Sequence, residues 1–343
     1  MHHARIKGSY FEMGRSYGAL LYRHGFRVEA QSREKIDFAA ESEPEVKRVF
    51  PEILDEIRGF AESCHASYDD VAAFMMTIGA FKVQPMCSSF AVFDGSDVIF
   101  GRNYDFFYSF AKYAESYLTA PEDAFMSLGH SDVFIGREDG INENGLAVAM
   151  TGVSEKSVKP GTSFVLAVRL VLDKCANVKD ASEKLLKTRT SANVNLLLAD
   201  RTGDMAVVEA SPHKVLIRAP EQRENFIVCT NHYLLPEMQK YEDLERRKTE
   251  NWDTISRYKA ISERLSKTRR EMNVEAAQQI LSDHTGYVCS HQDNIELGTL
   301  WSIAASLRNL EVCRAEGNPC RTRYREDLRL RRAVQKQRNK KFS

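Results

Sequence analysis

The chain has 343 residues, 43% of them hydrophobic and 28% charged, proportions of a globular protein with room for one large domain or two ordinary ones. Equal numbers of Lys/Arg and Asp/Glu, 48 each, exclude a whole-chain field that would favour nucleic acid. The uncharged apolar run Val71–Phe81 is too short to span a bilayer and no longer one is present, which argues against a membrane span.

Taken in order, residues 5–30 read as helix punctuated by Gly8, Gly14 and Gly18, glycines that suggest close packing or a helix start. From Pro44 to Phe81 apolar residues recur at three-and-four spacing, with Pro44 suited to a first helical position and Pro51 to a kink or restart. Ser67 followed by Asp69 and Asp70 marks the start of the next helix. At Cys87 the period changes from 3.6 to 2. The strands SFAVF and DVIF flank an Asp94-Gly95 turn and predict a hairpin that brings Arg102 and Asp105 beside Cys87. Further strands are expected at Ser131–Gly136, Leu146–Thr151, Val194–Asp200, Met205–Ala210, Lys214–Arg218, Phe226–Thr230, Thr299–Leu307 and Leu310–Cys313. Helical blocks are expected over Ser163–Thr188 and over Pro236–Ser282, the latter broken near Arg269. Helices grouped between runs of strands predict an α+β fold.

A thiol with a cation and a carboxylate in reach is the raw material of a nucleophile, although a buried strand cysteine beside an ion pair would read the same way. Cutting the Met86–Cys87 bond would add a base. A free α-amine titrates near 7.7–8.0 and takes the thiol proton without a histidine. The blocks PMCSSFAVF…IFGRNYDF, DGINENGLAVAMTGV and VCTNHY, with GSYFEMGRSYG before them and HTGYVCSHQD…TLWSIAASLRNLEVCRAEGNPC after, resemble the N-terminal-nucleophile (Ntn) hydrolases. Within these they are similar to the branch that holds isopenicillin N acyltransferase and the choloylglycine and penicillin V amidases.

The resemblance implies a four-layer αββα sandwich with two stacked antiparallel sheets, made as a precursor that cleaves itself between Met86 and Cys87. Cys87 then acts as the nucleophile on a linear amide or thioester. Asp105 matches the aspartate that binds the new amine, Arg102 the arginine beside the thiol, and Asn231 the asparagine that donates into the oxyanion hole. Ser302 matches a serine near the active site, and His232 is a candidate for the pocket lining. The chain departs from bile salt hydrolases where AMTGV, around Gly152, replaces an asparagine, and in its long segment before the cysteine. Both departures favour the acyltransferase-like subgroup.

This reading divides the chain into a 1–86 helical segment retained as the small subunit, an 87–320 catalytic core and a 321–343 basic tail. The tail holds ten Lys/Arg and two acids, a balance of +8. The expected partners are a small acyl-amide or acyl-CoA-like substrate and the cleaved 1–86 fragment, with homo-oligomerisation left open and no nucleic acid. Seven scattered cysteines without CxxC spacing, and no apolar leader, suggest a reduced, cytoplasmic protein. His232, His284 and His291 lack ligand-pair spacing, so no metal and no cofactor is expected. The rival from another class is a degenerate scaffold that binds a partner through its tail. A papain-like hydrolase would need one of those histidines as general base.

Overall fold

The computed structural model describes residues 1–81, 86–222, 224–250, 253–268 and 272–341. The chain opens with β1 (Arg5–Gly8) and helices α1 (Tyr10–Arg23), α2 (Arg33–Val49), α3 (Glu52–Cys64) and α4 (Tyr68–Met76). Strands β2 (Met86–Phe93), β3 (Val98–Phe107), β4 (Glu115–Pro121), β5 (Ser127–Ser131), β6 (Asp139–Asn142) and β7 (Leu146–Gly152) follow. Helices α5 (Phe164–Lys174) and α6 (Val178–Leu186) lead to β8 (Val194–Asp200), β9 (Met205–Ala210), β10 (Val215–Arg218) and β11 (Phe226–Cys229). Then come α7 (Pro236–Gln239), α8 (Leu244–Glu250), α9 (Thr254–Thr268) and α10 (Val274–Leu281). Strands β12 (His291–Gln292), β13 (Leu297–Ser306), β14 (Glu311–Ala315) and β15 (Arg325–Glu326) precede the last helix, α11 (Arg329–Lys341).

These elements form the expected four layers. One sheet runs β1-β4-β5-β6-β7-β8-β9-β10, antiparallel except where β1 pairs parallel with β4. The other runs β11-β2-β3-β13-β14-β15, with β12 on the edge of β13. Helices α5 and α6 cover the first sheet, α9 and α10 cover the second, and β2, β3 and β11 face β7, β8 and β9 across the middle. Strands buried on both faces need near-continuous burial, and all of β7, β8 and β13 meet that requirement. Among the described residues no helix is long and apolar enough to cross a membrane.

The N-terminal segment is woven into this body. Ser9 caps α1 through a reciprocal pair with Glu12, and Ser67 caps α4 as its position predicts. The glycines of α1 do let backbones touch: a Cβ on Gly14 would stand 2.0 Å from the Glu56 carbonyl oxygen of α3. Pro44, by contrast, lies inside α2, and Pro51 stands at the head of α3. The Ser163–Thr188 block is two helices, separated where Asn177 caps α6. Arg269, at the expected break of the later block, lies outside the described residues.

The expected strand Ser131–Gly136 is not one. Its apolar side chains dock into the core, where Phe134 lies against the rings of Phe26, Phe60 and Phe74. Buried arginines replace the ladder: Arg137 donates to the carbonyls of Ile135 and Gly136, and Arg169 donates to Ile135. Pairing happens instead in β5 just before it and in β6 just after. Among the described residues, the basic tail docks on the core. Leu330 and Val334 of α11 are buried, and Arg329 donates to Ser116 Oγ at 2.6 Å and pairs with Asp327.

Candidate active site

Strand pairing alone brings four of the expected residues together. In the β2–β3 register Met86 lies opposite Asp105, Cys87 opposite Tyr104 and Ser89 opposite Arg102. On the other side of β2, Cys229 of β11 lies opposite Ser89, so Asn231, two residues further on, comes level with Cys87. Cys87 is fully buried in the uncleaved chain and Met86 nearly so.

Each atom group of Cys87 has a partner. Its backbone N–H, the nitrogen of the Met86–Cys87 bond, donates to Asn231 Oδ1 at 2.8 Å. Arg102 Nη2 donates to its sulfur at 3.4 Å. Its carbonyl accepts from Arg257 Nη1, which also reaches Ser88 Oγ at 3.0 Å. Arg257 Nη2 donates to Asn231 Oδ1 at 3.1 Å, and Asp253 balances its charge at 3.1 Å. The orientation of the Asn231 amide follows from these neighbours: two donors point at its oxygen, and its nitrogen donates to the Gly152 carbonyl at 2.8 Å. In the uncleaved chain, then, Asn231 turns its acceptor toward the Cys87 nitrogen. At Gly152, where bile salt hydrolases differ, this chain presents a carbonyl, which accepts rather than donates.

The electrostatics keep the thiol protonated. Burial pushes Cys87 up to about 12, Arg102 pulls it down, and Asp105 and Glu138 push it further up. Burial likewise raises the Asp105 carboxyl to about 7, against the Thr299 hydroxyl at 2.6 Å and Arg257. Asp105 Oδ2 has no hydrogen-bond partner among the described residues. A carboxyl raised toward neutrality and set opposite Met86, one residue from the thiol, has a pKa matched to proton transfer.

Arg102 is itself fixed from behind. It pairs with Asp139 at 2.8 Å and donates to the Met150 carbonyl. Asp139 also accepts from Trp301 Nε1 at 2.9 Å and meets His130 Nδ1 at 2.7 Å. Burial opposes its charge, but His130, Arg102 and Trp301 hold it below the usual carboxylate range. The neighbouring Glu138 goes the other way: burial and then Asp132 raise it well above its ordinary value. The Trp301 ring stacks on Tyr104 at 3.9 Å, closing the floor beneath the thiol.

Two expected residues fall outside this group. The Ser302 hydroxyl bonds to Asn103 Oδ1, Tyr324 and the Arg102 carbonyl. Asn103 in turn donates to the Leu281 and Val288 carbonyls beyond the sheet, so Ser302 is on the helix side and Cys87 on the inter-sheet side. His232 is tied to Thr230 and Thr254 at 3.2 and 2.9 Å, and burial, with Arg247, Arg257 and Arg218, lowers it to about 3. It is neutral and held between Thr230 and the start of α9.

Arg257, Glu138, Asp139 and Trp301 are the members that sequence reasoning missed. Arg257 left a trace, since it shares the buried face of α9 with Thr254, Ile261 and Leu265 at helical spacing. A charge on an apolar stripe is out of place unless paired. The acids left a weaker one, a charged triplet Arg137-Glu138-Asp139 directly before a buried strand.

A family model described as acyl-coenzyme A:6-aminopenicillanic acid acyl-transferase matches residues 92–321, a span that includes Arg102, Asp105 and Asn231 and begins just after Cys87. No curated protein sequence matches the chain. Among solved structures, the chain is similar to penicillin V acylase from Agrobacterium tumefaciens at 20% identity and a TM-score of 0.46, over 67% of this chain and 83% of that one. It is also similar to a variant of conjugated bile acid hydrolase from Clostridium perfringens at 14% identity and a TM-score of 0.46, over 71% of this chain and 96% of that one. Well over half of the chain is covered by the family model, and the chain belongs to the acyl-coenzyme A:6-aminopenicillanic acid acyl-transferase family.

Proposed function

We propose that this chain is a self-cleaving cysteine enzyme that moves an acyl group from an amide or thioester onto Cys87 and then to water or an amine. The observation that carries the reading is that Cys87 is gripped at both ends, its nitrogen by Asn231 and its sulfur by Arg102.

Maturation begins when the thiol proton passes to Asp105 by way of an intervening water, and Arg102 stabilises the thiolate. The sulfur attacks the Met86 carbonyl carbon. As the C–N bond breaks, the proton passes to the Cys87 nitrogen and a Met86 thioester remains. Water hydrolyses it, giving a Met86 carboxylate, a free thiol and a free α-amine. The 1–86 fragment stays as the small subunit. Its β1 strand pairs with β4, Tyr10 donates to Asp173 at 2.9 Å, Tyr17 donates to Glu115 at 2.6 Å, and Glu56 meets Arg169 at 2.9 Å.

In the mature enzyme the α-amine, near its ordinary pKa of about 8, takes the thiol proton, and Asp105 holds the resulting ammonium. The Asn231 side-chain amide, whose nitrogen donates to the Gly152 carbonyl in the uncleaved chain, is the donor toward the oxyanion, a contact worth about 3 kcal/mol in the transition state. The ammonium then protonates the leaving group, and water or an acceptor amine discharges the acyl-Cys87.

Incubation with acyl-coenzyme A thioesters and N-acyl amides, followed by intact-mass analysis, tests the reaction. An acyl adduct on the 87–343 fragment, discharged faster by an amine such as 6-aminopenicillanic acid, is expected for transfer; discharge by water alone indicates hydrolysis. A cleaved chain that neither acquires an adduct nor turns over any donor contradicts the proposal.

A further inference from the structure

We propose that His284, Cys289, His291 and Cys320 form a zinc site on the outer side of the catalytic sheet. Each residue offers one ligand atom, and the four atoms all lie within 4.8 Å of one another. A tetrahedral zinc ion with bonds of about 2.3 Å to sulfur and 2.0–2.1 Å to nitrogen sets its ligand atoms about 3.3–3.8 Å apart. Cys320 Sγ and His291 Nε2 already stand 3.4 Å apart. The remaining pairs need a contraction of about 1.5 Å or less to reach tetrahedral spacing.

The donor set selects the metal. Two thiolates and two imidazoles suit zinc, whereas calcium and magnesium take oxygen ligands. Two contacts already tie the cluster together: Cys320 Sγ meets His291 Nε2 at 3.4 Å, and the His284 and His291 rings meet edge to face at 4.9 Å. Arg321 Nη2 lies 3.4 Å from His291 Nδ1. Metallation through Nε2 leaves the imidazole proton on Nδ1, so the exposed Arg321 side chain must swing aside.

The fold explains why no spacing rule finds this cluster. His284, Cys289 and His291 precede β13, while Cys320 follows β14, and the β13–β14 hairpin returns the chain to its start. His291 pairs with Gly298, and the next residue, Thr299, donates its N–H to Asn318 at 2.9 Å. The ion would therefore pin the segment before β12 to the segment after β14. The first segment braces β3 directly, with Val288 accepting from Asn103, and the second does so through β13, where Asn318 holds the Thr299 N–H and the Thr299 hydroxyl holds Asp105. The assigned role is structural, a clamp behind the strand that carries Arg102 and Asp105.

The test uses the full chain, purified without chelator under anaerobic conditions, with bound zinc measured by elemental mass spectrometry and cobalt(II) added to the chelator-stripped protein. Expected are roughly one zinc per chain and, with cobalt, the strong visible bands of a tetrahedral site plus a thiolate-to-cobalt charge-transfer band. His284 and Cys320 are exposed, so His284→Asn and Cys320→Ser disturb no core packing. Each should lower zinc content at least tenfold and weaken the cobalt spectrum, with charge transfer reduced most in Cys320→Ser. A wild-type chain that keeps no zinc and shows no cobalt–thiolate band overturns the proposal. So does a Cys289–Cys320 disulfide in protein purified this way with zinc supplied.

Discussion

Two fully buried arginines, Arg102 and Arg169, sit in the same fold and are put to different use. Arg169 is saturated: it meets Glu56 through two nitrogens at 2.9 and 3.2 Å, Asp173 at 2.9 Å and the Ile135 carbonyl at 3.0 Å. Its acids come from α3 of the N-terminal segment and from its own helix, so it is a rivet between residues 1–86 and the core. Arg102 has one carboxylate, Asp139, and one carbonyl, and aims a remaining N–H at the Cys87 sulfur. A buried cation whose needs are met by fixed acids holds structure. One with a hydrogen bond directed at a thiol is arranged for a charge that appears only during reaction.

That contrast gives predictions of decreasing size. Arg169→Met leaves Glu56 and Asp173 buried without their cation and should cost about 3–5 kcal/mol. Urea melts of the uncleaved chain should register it, and in cleaved protein the 1–86 fragment should dissociate. Arg102→Met should slow self-cleavage and acylation by about a hundredfold to a thousandfold, the range for loss of one charge-stabilising donor. Stability should fall less than in Arg169→Met, because Asp139 keeps His130 and Trp301. Equal and large losses of stability in both variants would break the comparison.

Asp105 supplies a pH prediction. In the fold it keeps its proton up to about 7, and in the unfolded chain only to about 4. The folded state therefore binds the extra proton between those values. Its stabilising contribution is complete below about pH 4 and is lost as pH rises through 7. Self-cleavage, which uses the deprotonated form, should accelerate across the same upper limit. Asp105→Asn should abolish that dependence along with most of the rate, as followed by band shift over time at several pH values. The smallest effect belongs to Ser302→Ala: the hydroxyl faces the helix layer, so stability should fall by about 1 kcal/mol and the cleavage rate should not change.

What could be read from the sequence was what the local period and hairpin geometry govern. The switch to a two-residue period at Cys87, with a turn at Asp94-Gly95, was enough to place Arg102 at the thiol and Asp105 opposite Met86. Asn231 needed the resemblance, because β11 reaches β2 only through long-range pairing. Arg257 and Asp139 come from a distant helix and from the opposite sheet, and no spacing in the chain encodes that meeting. Ser131–Gly136 misled for a related reason. Apolar alternation records burial, and here arginine side chains rather than a neighbouring strand satisfy its carbonyls. Pro44 and the docked tail were likewise settled by tertiary packing.

The central claim is that the Met86–Cys87 bond is cut by the chain itself. Intact mass spectrometry of the purified full-length product, incubated over time beside Cys87→Ala, tests it most directly. The account predicts two species ending at Met86 and beginning at Cys87, co-eluting on a sizing column, with Cys87→Ala remaining whole. A wild-type chain that stays intact under all conditions, or a Cys87→Ala chain cut at the same bond, would contradict it.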